Sequence, residues 1–315
     1  MKYINEVATD CYLGSFSNLL NFYGINTTTA YLQLQYGGDI CQYIRNSQSN
    51  SLKDIKLIHK LGYDIVKNFC TENKIDFCCK ELGDKKVAED YVYRRCKEKK
   101  PFLILIGVNH LTYHPYYEKY TRENEHVITI LDSTETELYI ADCLIPVFPN
   151  YTSFEGWVPK EEILKAWENS NFHIFDYFLT GEKLQLRKVD FGKSIATYYE
   201  NESLGNGFLS FIKDFENYDT YYSEEEQKKN LINVSYNFQF LGPFTFRNSI
   251  KVLMNQNCFS NDVLQEYQKY FMFWKTLPFL LVKKGVSPNT LSSKTISEKM
   301  LTNYTAEKDF IKKLL

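Results

Sequence analysis

The chain has 315 residues, 44% of them hydrophobic and 24% charged, enough to build a core for one large domain or two ordinary ones. Its 37 basic and 39 acidic residues nearly cancel, which argues against a dedicated nucleic-acid binder, and no apolar run reaches the roughly 18 residues of a membrane helix. Eight cysteines without a CxxC pair predict reduced thiols and no structural metal; with no secretory signal in "MKYI", the cytoplasm is the expected compartment.

The first predicted helix covers residues 12–23, with a stripe of Leu13, Phe16, Leu19, Leu20 and Tyr23 closed by Gly24. Thr9 and Asp10 are capping residue types, so Cys11 falls in the first turn, where free N–H groups and the positive dipole end favour a thiolate. A buried small hydrophobe is the commoner fate of a free cysteine. "SLKDIKLIHKLG" over residues 51–61 predicts a second helix stopped by Gly62, with residues 63–72 continuing as helix. "KIDFCCKEL" predicts a short strand, residues 84–98 a charged amphipathic helix, and "PFLILIGV" after Pro101 a buried strand.

Residues 109–124, "NHLTYHPYYEKYTREN", lack any period and are crowded with tyrosine and histidine; a long aromatic loop of this kind is more often functional than not. "EHVITILDS" and "ELYIADCLI", separated by "TET", predict an antiparallel hairpin. "PKEEILKAWEN" predicts a helix and "HIFDYFLTG" a strand. From about residue 188 the pattern becomes helical, over 190–219, 222–241, 245–257 and 260–276, with one or two amphipathic helices in the last 25 residues. The expected class is α+β: an N-terminal domain over 1–187 with an antiparallel sheet and a cysteine-bearing helix, joined near "KLQLRKVDFGKS" to a mainly helical domain over 188–315.

A cysteine nucleophile needs a base and a group that orients the base. Of the five histidines, His59 is expected mid-helix among lysines, His173 at the start of a strand, and His110 and His114 in the aromatic loop. His126 heads a buried-looking strand, and Asp142, expected at the end of the next strand, would accept its Nδ1–H and fix the imidazole tautomer. Asp132 is the competing acid, better explained as a turn residue.

"DCYLGSFSNLLNFYG" followed by "EHVITILDSTETELYIAD" resembles the papain-like superfamily, and within it the double-glycine leader peptidases. The helix pattern, the "LTYHPYYEKYTRENEH" loop and "PKEEILKAWEN" resemble, more closely, the family named after butirosin biosynthesis protein H, over roughly residues 5–180. That resemblance implies a papain-like N-terminal domain. It also implies an acyltransferase that moves an acyl group from a carrier-protein thioester through Cys11 to an amine or diamine in natural-product assembly. His126 would be base and acid, Asp142 the orienting carboxylate, and no cofactor or metal would be needed. Papain-like enzymes often carry a glutamine six residues before the cysteine as an oxyanion donor. Here Asn5 stands there, with the backbone N–H of Cys11 as the other donor. Tyr113, His114, Tyr116, Tyr117 and Tyr120 are candidates for shaping the acyl pocket. The helical half is expected to present donor or acceptor, or else to cover a sheet or form a homodimer. A cysteine peptidase or amidohydrolase would use the same triad, and a binding module with an unreactive Cys11 is a third alternative.

Overall fold

A computed structural model describes residues 2–37, 41–44, 56–59, 62–118, 125–147, 150–179, 186, 190–202, 207–221, 223–236, 238–239, 243–256 and 259–314. In chain order the elements are α1 (Cys11–Phe22), α2 (Thr29–Tyr36), β1 (Cys41–Ile44), β2 (Lys56–His59), α3 (Gly62–Glu72), β3 (Phe77–Glu81), α4 (Lys85–Lys97), β4 (Phe102–Gly107), β5 (Glu125–Ser133), β6 (Glu137–Val147), β7 (Asn150–Pro159), α5 (Lys160–Glu168) and β8 (His173–Tyr177). Among the described residues the α-helices that follow are α6 (Phe191–Glu202), α7 (Phe208–Glu216), α8 (Tyr218–Tyr221), α9 (Glu224–Tyr236), α10 (Pro243–Gln256), α11 (Asn261–Val286) and α12 (Ser293–Leu314). Among the described residues no helix is long and apolar enough to cross a membrane.

The chain divides into two compact units, residues 1–32 with 65–187, and residues 33–64 with 188–315. Residues 33–64, counted in the N-terminal domain on sequence grounds, therefore group with the helical half. They carry two elements the periodicity misassigns. The expected helix over 51–61 is, where described, strand β2, paired antiparallel with β1, which was not expected at all; His59 thus lies on a strand, opposite Cys41. A four-residue antiparallel pairing with β1 overrides the local apolar spacing.

In the first unit six strands form one antiparallel sheet in the order β3-β8-β4-β5-β6-β7. Ile104, Ile106, Ile128, Ile130, Leu138 and Ile140 alternate along β4, β5 and β6 and bury one face beneath Ala88, Tyr91 and Val92 of α4 and Ile163, Leu164 and Trp167 of α5. α1 packs on β5 and β6, with Leu13, Phe16, Leu19 and Leu20 almost fully buried. Strand β7 was not expected: "NYTSFEGWVP" mixes polar and aromatic residues, and as the edge strand it needs no continuous apolar face.

The second unit is built around a buried ion pair. Arg247 Nε lies 2.9 Å from Glu307 Oε2, both side chains fully buried, with the guanidinium 4.1 Å from the centre of the Trp274 ring. Trp274 Nε1 donates to the same carboxylate at 3.0 Å, so α10, α11 and α12 are fastened at one point. The C-terminal segment is a single helix, α12.

Candidate active site

Cys11 is the first residue of α1, and Asp10 is its cap: the Asp10 backbone is extended and Oδ1 accepts from the Leu13 N–H at 2.7 Å. The backbone N–H of Cys11, in the first turn, has no partner within the helix. The helix is held unusually close to the sheet. A Cβ built on Gly14 would stand 2.4 Å from Ala8 Cβ and 2.5 Å from Cys143 Sγ. Gly14→Ala must push α1 off β6, and should lower stability by about 1–3 kcal/mol, read as a fall in the denaturant midpoint.

His126 and Asp142 lie on adjacent strands. Extending the Thr129–Ala141 pairing sets Asp142 opposite Ile128, so His126 is its diagonal neighbour. Asp142 does not end its strand, as expected, but sits mid-strand where the β6–β7 register shifts between Asp142 and Ile145. Bulges recur beside active sites because they re-aim a side chain. His126 Nε2 lies 2.9 Å from Asp142 Oδ1. The sequence expectation put the carboxylate on Nδ1; the structure puts it on Nε2. Cys11 acts on the same imidazole, raising its proton affinity together with Asp142. Burial alone would strip the ring's proton, but the charges of Asp142 and Cys11 outweigh it and hold the His126 proton well above the usual histidine range.

Asp142 is fully buried, and Oδ1 also accepts from the Leu144 N–H at 3.0 Å while Oδ2 accepts from the Tyr113 hydroxyl at 3.2 Å. Asp132, the competing acid, is exposed and accepts from the Ser133 N–H.

Asn5 is placed differently from the expectation. Its amide nitrogen donates to the backbone carbonyls of Asp142 at 3.1 Å and Phe154 at 2.8 Å, so both hydrogens are committed and neither is left for an oxyanion. It stitches the N-terminal segment to β6 and β7, alongside Ala8 N–H on the Cys143 carbonyl and the Tyr3 hydroxyl on Thr129.

The aromatic loop closes on itself, with the Glu118 N–H on the Asn109 carbonyl and Thr112 bound through its N–H and hydroxyl to Glu162 of α5. Tyr113 and Tyr116 pack against the core of the sheet rather than standing free. The ring of Tyr113 stacks on Phe154, 4.2 Å between centroids. His114 is buried with its ring 5.6 Å from that of His126, and Nδ1 accepts the Tyr116 N–H, which places its proton on Nε2. Burial and the neighbouring His126 depress its pKa to about 4, so it is neutral at physiological pH. Tyr117 is half-buried and hydrogen-bonded to Glu118. Tyr120 lies outside the described residues. Outside the site, His173 Nε2 meets Cys79 Sγ at 3.1 Å. Among the described residues no group of three or more potential ligands could hold a metal.

A thiol on the first turn of a helix, with a histidine and an aspartate on neighbouring antiparallel strands, is the arrangement of a papain-like cysteine enzyme. Residues 10–143 match the family described as butirosin biosynthesis protein H, N-terminal. No curated protein matches the chain. Among solved structures, a crystal structure of a C39-like peptidase from Bacillus anthracis overlaps with a TM-score of 0.37 and 13% identity, covering 60% of this chain and 94% of that one. Tyr113 as a partner of Asp142, and Phe154 beneath it, were missed in the sequence; the one signal was the aromatic loop itself.

Proposed function

We propose that this protein is a cysteine acyltransferase that takes an acyl group from a carrier-protein thioester and delivers it to an amine, forming an amide. The observation that carries this reading is the imidazole of His126 hydrogen-bonded to Asp142, with Cys11 near enough to raise its proton affinity, inside the segment that matches the butirosin protein H family. His126 Nδ1 takes the Cys11 proton as the sulfur attacks the thioester carbonyl. The developing oxyanion lies against the Cys11 N–H, and collapse expels the carrier thiolate, which leaves with the proton from the imidazolium. An amine then attacks acyl-Cys11, gives its proton to His126, and the returning pair on oxygen expels the Cys11 sulfur, regenerating the thiol. Donor carrier, acyl group and amine are all part of the proposal, as is a role in natural-product assembly such as the amide-forming step of the closthioamide pathway.

Water competes for the acyl-enzyme at about 55 M, while thioesters react with neutral amines far faster than with hydroxyls, so the outcome depends on excluding water. The test is product partitioning. Supplied with an acyl thioester and a series of primary amines, the protein should give amide as the main product, saturating with amine and rising with pH towards the amine's own pKa. Free acid at every amine concentration, with cleavage of peptides, would make it a hydrolase and overturn the reading.

A further inference from the structure

Three donors converge on the Asp142 carboxylate, and only two of them come from the strand framework. Oδ1 receives His126 Nε2 and the Leu144 N–H; Oδ2 receives the hydroxyl of Tyr113, which belongs to the closed loop. The Tyr113 ring is parallel to that of Phe154 within 9°, and Phe154 is the residue paired with Asp142 across β6 and β7. Phe154 is in turn seated over Gly156, where an added Cβ would stand 3.1 Å from its Cζ. The loop beneath is anchored by Thr112 on Glu162. The hydroxyl therefore reaches Oδ2 from a ring fixed on one face and a backbone fixed at its root.

We propose that Tyr113 is a positioning residue of the triad: clamped on Phe154, its hydroxyl holds the outer oxygen of Asp142 so that the inner oxygen stays aligned on His126. The inference rests on reading Cys11, His126 and Asp142 as one catalytic unit, although its test needs no substrate.

The chemical reason lies in what happens when His126 gives up its proton. While the ring is charged, it neutralises Asp142; once the proton leaves, a buried carboxylate stands without a cation. The Tyr113 hydroxyl then carries more of the stabilisation, and it is always available as a donor, since burial and the adjacent Asp142 keep its own proton on. Without that hydroxyl the His126–Asp142 pair would retain its proton to higher pH, and the base would release it less readily. The other titratable groups around the pair are Cys11 and Asp10 from α1, His114 from the loop and Cys143 from β6, with Glu162 of α5 acting on Tyr113. Tyr113→Phe alters none of them.

The measurement is an NMR titration of the full chain with isotope-labelled histidine rings, the His126 signal assigned by its loss in His126→Gln. Tyr113→Phe keeps the ring and its stack, and should raise the His126 midpoint by about one pH unit, tenfold in proton affinity, with an unchanged melting temperature. Phe154→Leu keeps the hydroxyl but removes its clamp, and should raise the midpoint by a smaller amount. An unmoved His126 midpoint in both folded variants overturns the proposal. Failure of the acyl-transfer reading would appear separately, as the wrong product in the partitioning experiment with the His126 shift intact.

Discussion

Cys11→Ala should acquire no mass from any acyl thioester and lose about 10^4–10^6-fold in turnover, the scale seen when a covalent nucleophile is deleted and only binding and oxyanion donors remain. The loss is expected to be this large because the substitution leaves His126 and Asp142 in place with no atom to attack. Intact mass after incubation with the donor thioester separates the possibilities: wild type gains one acyl group, the variant none. Selective alkylation offers an independent reading. Cys70 and Cys143 are buried, and burial pushes the Cys70 thiol up to about 12 and that of Cys143 well above its ordinary range. Limiting iodoacetamide should therefore modify Cys11, half-buried at the helix start, ahead of both. Peptide mapping that finds another cysteine labelled first would remove Cys11 from its role.

Asp142→Asn is expected to lower turnover by about 10^2–10^4-fold while leaving the fold intact. An asparagine can keep its carbonyl on His126 and Leu144 and turn its amide towards Tyr113, so the change removes charge more than shape. What is lost is the anion that holds the imidazolium, and with it the raised proton affinity of His126. The control is Asp132→Asn, at an exposed position whose carboxylate only accepts from the next backbone N–H; it should stay within about 0.5 kcal/mol of wild-type stability, with turnover unchanged. Damage at Asp132 with a mild effect at Asp142 would mean that the strands are paired differently in the working protein.

How much of this site could be read in the sequence depends on the distance over which each residue acts. Cys11 and its cap are local: a capping residue, an apolar stripe at helical spacing and a glycine at the end suffice to place a thiol on a first turn. His126 and Asp142 are within one hairpin, sixteen residues apart, and strand alternation brings them to neighbouring strands. Even there the pattern could not supply the bulge after Asp142 or the choice of Nε2. Asn5 and Tyr113 act at longer range. A side chain type suggests an oxyanion donor at residue 5, but its hydrogens go to carbonyls on β6 and β7, and a backbone carbonyl leaves no mark in a sequence. Tyr113 likewise looks like pocket lining until Phe154 and Asp142 are seen beside it. β7 escaped because an edge strand can be polar, and β2 because four residues carry too little period to set against a misleading run of leucines and isoleucines.

The stitching of Asn5 to Asp142 and Phe154 spans 137 and 149 residues of chain, and Tyr3 reaches Thr129 over 126. During synthesis α1 therefore leaves the ribosome long before β5 and β6, at about 5–20 residues per second. For several seconds the cysteine is a thiol with no histidine beside it. Loop closures of this length are entropically demanding and belong to the slow, late part of folding. The ties that seat the N-terminal segment can therefore form only after β6 and β7 have been made. A nascent chain ending before Asp142 would carry the cysteine and the histidine yet lack both ties of Asn5 and the carboxylate that holds the imidazole.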